Sequence, residues 1–130
     1  MSEKQLKIAY FLSTGLFCLM VLPGAIADLV QPQVAVDMMV TLGLPLALLT
    51  LLGIWKLLGV VAVLLPNTNR IKEWAFAGFA FDLTGASYLH GAAGDWAGVV
   101  PPLVILAVGA GAYATWRMRS KAAAEQASAT

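Results

Sequence analysis

Four mostly apolar stretches, at residues 7–29, 45–65, 71–90 and 97–116, constrain this chain more than any other feature. About 20 such residues, each rising 1.5 Å along a helix, cross a hydrocarbon core about 30 Å thick. Backbone N–H and C=O groups find no partner in hydrocarbon, so segments of this kind must satisfy them internally as helices. The four stretches occupy most of the 130 residues and leave no room for a second domain. Composition agrees: 12% of residues are charged, against about 25% in soluble chains. The expectation is an all-α membrane protein, an antiparallel four-transmembrane-helix bundle over residues 1–119 with a flexible cytoplasmic tail over 120–130.

Local punctuation supports these boundaries. Pro66, Asn67, Thr68, Asn69 and Arg70 form a polar turn between the second and third spans, and Gly91 to Asp95 form another before the fourth. The first connection is longer. Pro32 and Gly43 bracket a segment too short to span, in which Gln33, Asp37 and Thr41 recur at i, i+4 and i+8. An initiating proline, a terminating glycine and one polar stripe read as a short interfacial helix over 32–42. Lys4, Lys7 and the Ala25-Ile26-Ala27 triplet also resemble a secretory signal, but the apolar run exceeds the usual core of about 7–15 residues, so the first helix is expected to be retained.

Charge sets the orientation. Lys4, Lys7, Arg70, Lys72, Arg117, Arg119 and Lys121 all fall on one side of the bundle, while the other side holds only Asp28, Asp37 and Asp95. Positive loops stay inside, which places both termini in the cytoplasm. Tyr10, Trp74, Trp96 and Trp116 lie near span ends, as interfacial aromatics do. A net charge of +1 without a basic run excludes nucleic acid as a partner. The lone Cys18 allows no internal disulfide and no paired-cysteine metal motif.

Two ionisable residues lie near mid-span, Lys56 in the second span and Asp82 in the third. Each costs about 2.5–3.5 kcal/mol at the bilayer centre. Counted from the intervening turn, they sit about 14 and 17 Å deep. Gly53 and Gly59 flank Lys56, and Gly78, Gly85 and Ala86 flank Asp82; small residues let membrane helices approach closely. The expectation is a Lys56–Asp82 pair buried in a seam between the second and third spans. Such a pair either fixes helix register or marks a ligand pocket or proton route. Trp55 beside it either packs as bulk or offers its indole N–H.

Thr84, Ser87 and His90 lead from Asp82 toward the outer surface, with Asp95 beyond them. A single histidine excludes bis-histidine haem within one chain, and no metal site is expected. Glu73 reads as a favourable charge in the first turn of a helix, Asp28 as a water-exposed group unless helix tilt turns it inward, and Gly109 to Ala112 as a close-packing surface. No phosphate loop, nucleophile elbow or paired catalytic carboxylate occurs.

The segments Gly53-Ile54-Trp55-Lys56-Leu57-Leu58-Gly59, Arg70-Ile71-Lys72-Glu73-Trp74-Ala75 and Phe81-Asp82-Leu83-Thr84-Gly85-Ala86-Ser87, continuing to His90, resemble those of the DoxX-like family of small four-helix bacterial membrane proteins. The resemblance covers residues 5–117, and Lys56, Glu73, Trp74, Asp82, Thr84 and His90 match its pattern. It implies a bacterial inner-membrane location and a role beside quinone-linked redox complexes, since the family takes its name from a membrane subunit associated with thiosulfate:quinone oxidoreduction and a terminal quinol oxidase. No intrinsic cofactor is implied; a partner subunit would supply the redox group. The leading expectation is an accessory subunit that binds a quinone or similar amphiphile, or a lipid, at Lys56, Asp82, Trp55, Thr84, Ser87 and His90, with Glu73 and Trp74 at a cytoplasmic interface. Alternatives are a non-catalytic scaffold or assembly factor and a small proton-coupled carrier. Self-association into a homodimer is compatible with the glycine-rich faces.

Overall fold

The computed structural model describes residues 1–129, and among them it contains five helices and no strand. They are α1 (Glu3–Val30), α2 (Gln33–Leu42), α3 (Leu46–Leu64), α4 (Asn69–Ala92) and α5 (Trp96–Ala129). Their ends follow from local chemistry. The Ser2 hydroxyl accepts the Gln5 backbone N–H while the Gln5 side chain accepts from the Ser2 N–H, a reciprocal cap on α1. Pro32 and Pro45, with extended backbones, precede α2 and α3, and Gly43 closes α2 in the left-handed region at φ 71°. Gly94 takes φ 79° in the turn before α5.

α5 corrects one expectation. The segment read as a flexible tail continues the helix without a break as far as Ala129, because its alanine-rich stretch carries no glycine or proline to stop it. Position 130, the last of that segment, lies outside the described residues.

α1 and α4 each pack against α3 and α5, so the four long helices form a ring with α1 and α4 facing across its centre. Aromatic side chains fill that centre. Phe17 of α1 meets Phe79 of α4 edge-on at 5.1 Å, and Phe76 stacks on Trp116 of α5 at 5.9 Å. Two glycines make room for the rings. A Cβ at Gly59 would lie 2.6 Å from Phe79 Cζ, and one at Gly109 would lie 2.7 Å from Phe17 Cε1. Gly78, Gly85 and Gly111 have nothing near their faces. Of the glycines read as a close-packing strip on the α3–α4 seam, Gly59 meets the facing helix, whereas Gly78 and Gly85 do not.

The outer surface is apolar. Phe11, Leu12, Leu19, Leu58, Phe81 and Val100 are among the large hydrophobic side chains left exposed along α1, α3, α4 and α5. α1, α3 and α5 are each long and apolar enough to cross a membrane. α4 is long enough at 24 residues but carries Arg70, Lys72, Glu73 and Asp82. Its polar residues Lys72, Ser87 and His90 are buried, and its aromatics Trp74, Phe81 and Tyr88 face outward.

Candidate functional site

Lys56 projects from the middle of α3 toward two carboxylates. Its Nζ donates a hydrogen bond to Asp28 Oδ2 at 2.7 Å and lies 3.8 Å from Asp82 Oδ2. The three side chains are 20%, 13% and 18% exposed, so none faces open solvent. The nearer partner comes from α1, not from the third span. The reading of Asp28 as a group needing only water is thereby corrected, and Asp82 becomes the more distant of two neighbours.

The reason lies in how α1 and α3 align. The connection over residues 31–45 lets α3 begin beyond the level at which α1 ends. Gln31 Nε2 donates to Thr50 Oγ1 at 3.0 Å, and a Cβ at Gly53 would lie 2.7 Å from Leu29 Cγ and 3.1 Å from Asp28 Cβ. The last turn of α1 thus meets α3 several residues inside its start, and Gly53 admits it. One further turn brings Asp28 to Lys56. Gly53 flanking Lys56 did signal a close helix approach, but the helix that approaches is α1.

On its outer side the Lys56–Asp82 pair borders an open groove of about 510 Å³ between α3 and α4. Leu52, Gly59, Ala62, Ala75 and Phe79 line it, Trp55 and Trp74 stand at it, and its only ionisable groups are Lys56 and Asp82. Trp55 is 58% exposed, so it does not pack as core bulk; it forms part of the groove wall. Trp74, read as an interfacial aromatic, is likewise exposed and lines that wall. On the inner side a void of about 60 Å³ separates the pair from Met20, Val21 and Gly24 of α1 and Ile105 of α5.

The remaining candidate residues do not join this cluster. Thr84 is exposed and its hydroxyl donates to the Ala80 carbonyl of its own helix at 2.6 Å. Ser87 is buried and donates to the Val99 carbonyl near the start of α5 at 3.1 Å, a hydrogen bond between α4 and α5. His90 is buried with Nδ1 2.9 Å from Asp95 Oδ2, while Asp95 Oδ1 accepts the Gly98 N–H at 3.1 Å. Asp95 therefore caps the start of α5 and holds His90 against it. The His90 hydrogen bond, followed by the Gly98 N–H, holds the Asp95 carboxyl below its ordinary pKa. Gly98 has no space for a side chain, since a Cβ there would collide with His90 Nδ1 and Asp95 Oδ2.

Two basic-end readings also change. α4 begins at Asn69, so Glu73 lies beyond the first turn and is not a dipole charge; it accepts from Tyr113 Oη at 3.2 Å and faces Arg117 at 3.4 Å, tying α4 to α5. Lys72, grouped with the cytoplasmic turn from sequence, is 6% exposed. Its Nζ donates to Tyr10 Oη at 3.2 Å and lies 5.9 Å from the centre of the Trp116 ring, a cation–π arrangement. Tyr10 and Trp116, read as interfacial, are the partners that bury it. The signal was present: Lys72, Phe76, Phe79, Leu83, Ser87 and His90 fall on one helical face, and all are buried.

A family model described as the DoxX-like family matches residues 12–112. No curated protein and no solved structure matches the chain.

Proposed function

The chain belongs to the DoxX-like family, and from that membership and the site's geometry we propose that it is a small bacterial inner-membrane protein that binds an amphiphile of the quinone class in the groove between α3 and α4. α1, α3, α4 and α5 cross the bilayer in alternating directions, α2 lies in the outer interface, and both termini face the cytoplasm. Lys72, Ser87 and His90 turned inward, with Trp74, Phe81 and Tyr88 outward, support counting α4 as the fourth span, because polar side chains in lipid turn toward the bundle interior. Arg117, Arg119 and Lys121 on the cytoplasmic extension of α5 agree with that orientation.

The observation that carries the reading is the placement of Lys56 and Asp82 as the only ionisable groups in an otherwise apolar groove walled by two indoles. Binding sites for small molecules are largely apolar with a few polar groups that fix orientation. Lys56 spends one N–H on Asp28 and keeps others for a carbonyl oxygen, while Asp82 can accept from a hydroxyl. Trp55 and Trp74 supply aromatic surface at the groove for a ring. The chain's own residues supply binding and orientation; electron transfer would belong to a partner redox subunit.

Titration of the detergent-purified protein with decylubiquinone, followed by tryptophan fluorescence, tests this. Saturable quenching is expected in the wild type, with at least about tenfold weaker binding in Lys56→Met, the loss of about 1.4 kcal/mol that one charge-assisted hydrogen bond supplies. Equal quenching in both proteins, or none in either, would reject the reading.

A second reading has its own support. Lys56 contacts residues of α1 and α4 from α3, so the trio joins three helices and would serve a non-catalytic scaffold or assembly factor by fixing their register. Partner capture that survives in a folded variant unable to bind quinone would favour it. A proton-coupled carrier and a homodimer remain further proposals for the same bundle.

A further inference from the structure

The charges around Lys56 do not balance. One ammonium meets two carboxylates, Asp28 at 2.7 Å and Asp82 at 3.8 Å. Asp28 takes the short hydrogen bond and neutralises Lys56. Asp82 receives no hydrogen bond from any described residue. Nothing else that titrates faces it: α3 presents Lys56, α1 presents Asp28 beyond Met20, Val21 and Gly24, and α5 presents Ile105. An uncompensated carboxylate in apolar surroundings is neutralised by a proton or by a cation.

The groove accommodates the second alternative. It is large enough, at about 510 Å³, for a small aromatic or branched aliphatic body, and it opens on the exposed Trp55 and Trp74, whose indoles attract cations to their faces. We propose that the groove between α3 and α4 takes a lipophilic monovalent cation, an amine or onium with an apolar body, in exchange for a proton on Asp82. The exchange balances simply. The neutral carboxyl of Asp82 releases its proton to water as the cationic head arrives, and the carboxylate so formed pairs with that head. Asp28 keeps Lys56 neutralised throughout, which limits repulsion between its ammonium and the incoming charge.

This inference rests on the groove being an amphiphile site, and the experiment separates the two. The full chain in mild detergent is titrated with tetraphenylphosphonium and, separately, with decylubiquinone. Binding is followed by tryptophan fluorescence, and proton release in weakly buffered solution by a pH indicator. The expected result is cation binding with release of one proton per cation bound, and an affinity that rises about tenfold per pH unit while Asp82 holds its proton. Asp82→Asn should abolish both cation binding and proton release. It leaves the Lys56–Asp28 hydrogen bond in place, and Asp82→Glu, which restores the carboxyl, should restore proton release. Cation binding without proton release, or binding retained in Asp82→Asn, would overturn the exchange. If decylubiquinone binds and the cation does not, the exchange fails and the quinone reading stands. If the cation alone binds with proton release, the exchange stands and the quinone class fails. If neither binds, both fall.

Discussion

Lys56 distinguishes its two carboxylates by distance, and the difference has consequences for stability. At 2.7 Å the contact with Asp28 is a charge-assisted hydrogen bond, whereas 3.8 Å to Asp82 is Coulombic proximity without one. Asp28→Asn takes the negative charge out of the bond between α1 and α3; replacing Asp82 leaves that bond intact. Asp28→Asn is therefore expected to destabilise the detergent-solubilised protein by about 1–1.5 kcal/mol, the difference between a charged and a neutral acceptor for the same donor, and Asp82→Asn by less. Thermal melting of the two variants side by side checks the order; a larger loss in Asp82→Asn would show that the α3–α4 contact dominates. Lys56 and Asp82 could be singled out in the sequence because a charge far from a span end is conspicuous. Asp28 could not, because a carboxylate near a helix end looks the same whether it meets water or a lysine. Lys72 was missed for a similar reason: its neighbours Arg70 and Glu73 suggest a solvated turn, yet its side chain points along the buried face that continues through Phe76 and Phe79.

Among the elements, α4 and α5 show how polar residues can be built into an apolar assembly. α4 turns Lys72, Ser87 and His90 inward and gives each a partner on α1, on α5 or in the turn before α5. α5 starts under the Asp95 cap, where His90 and the Gly98 N–H both stabilise the ionised carboxylate. Because these contacts lower its pKa in the folded protein, the stabilisation is complete above the ordinary aspartate value of about 3.9 and is lost as pH falls through the lowered folded value. Wild type should melt above Asp95→Asn at neutral pH, and the gap should close in acid below about pH 4. Melting curves for both proteins across that range provide the check, and a gap that ignores pH would remove Asp95 as its source. The turn and its glycines were legible in the sequence. The cap was not, because the Asp95 oxygens meet their partners only when the turn brings α4 and α5 together.

For the whole molecule, the exposed apolar surface and the buried polar face of α4 are two aspects of one arrangement in which lipid takes the place of water outside. The proposed topology places Gly94 outside and Asn67 inside. A cysteine introduced at Gly94 should react with a membrane-impermeant maleimide on intact spheroplasts, and one at Asn67 only after permeabilisation. The native Cys18 is buried and serves as the common background. The opposite labelling pattern would invert the orientation. The number of long helices, their ends to within a few residues apart from the far end of α5, and the apolar character that suits a membrane could all be read from the residues alone, because span length and proline and glycine punctuation are local properties. Helix packing, by contrast, set Asp28 rather than Asp82 closest to Lys56, Lys72 between Tyr10 and Trp116, and Trp55 on the wall of a groove. Those outcomes depend on how far one helix slides and turns against another, which the residue 31–45 connection and the notches at Gly53, Gly59 and Gly109 set together.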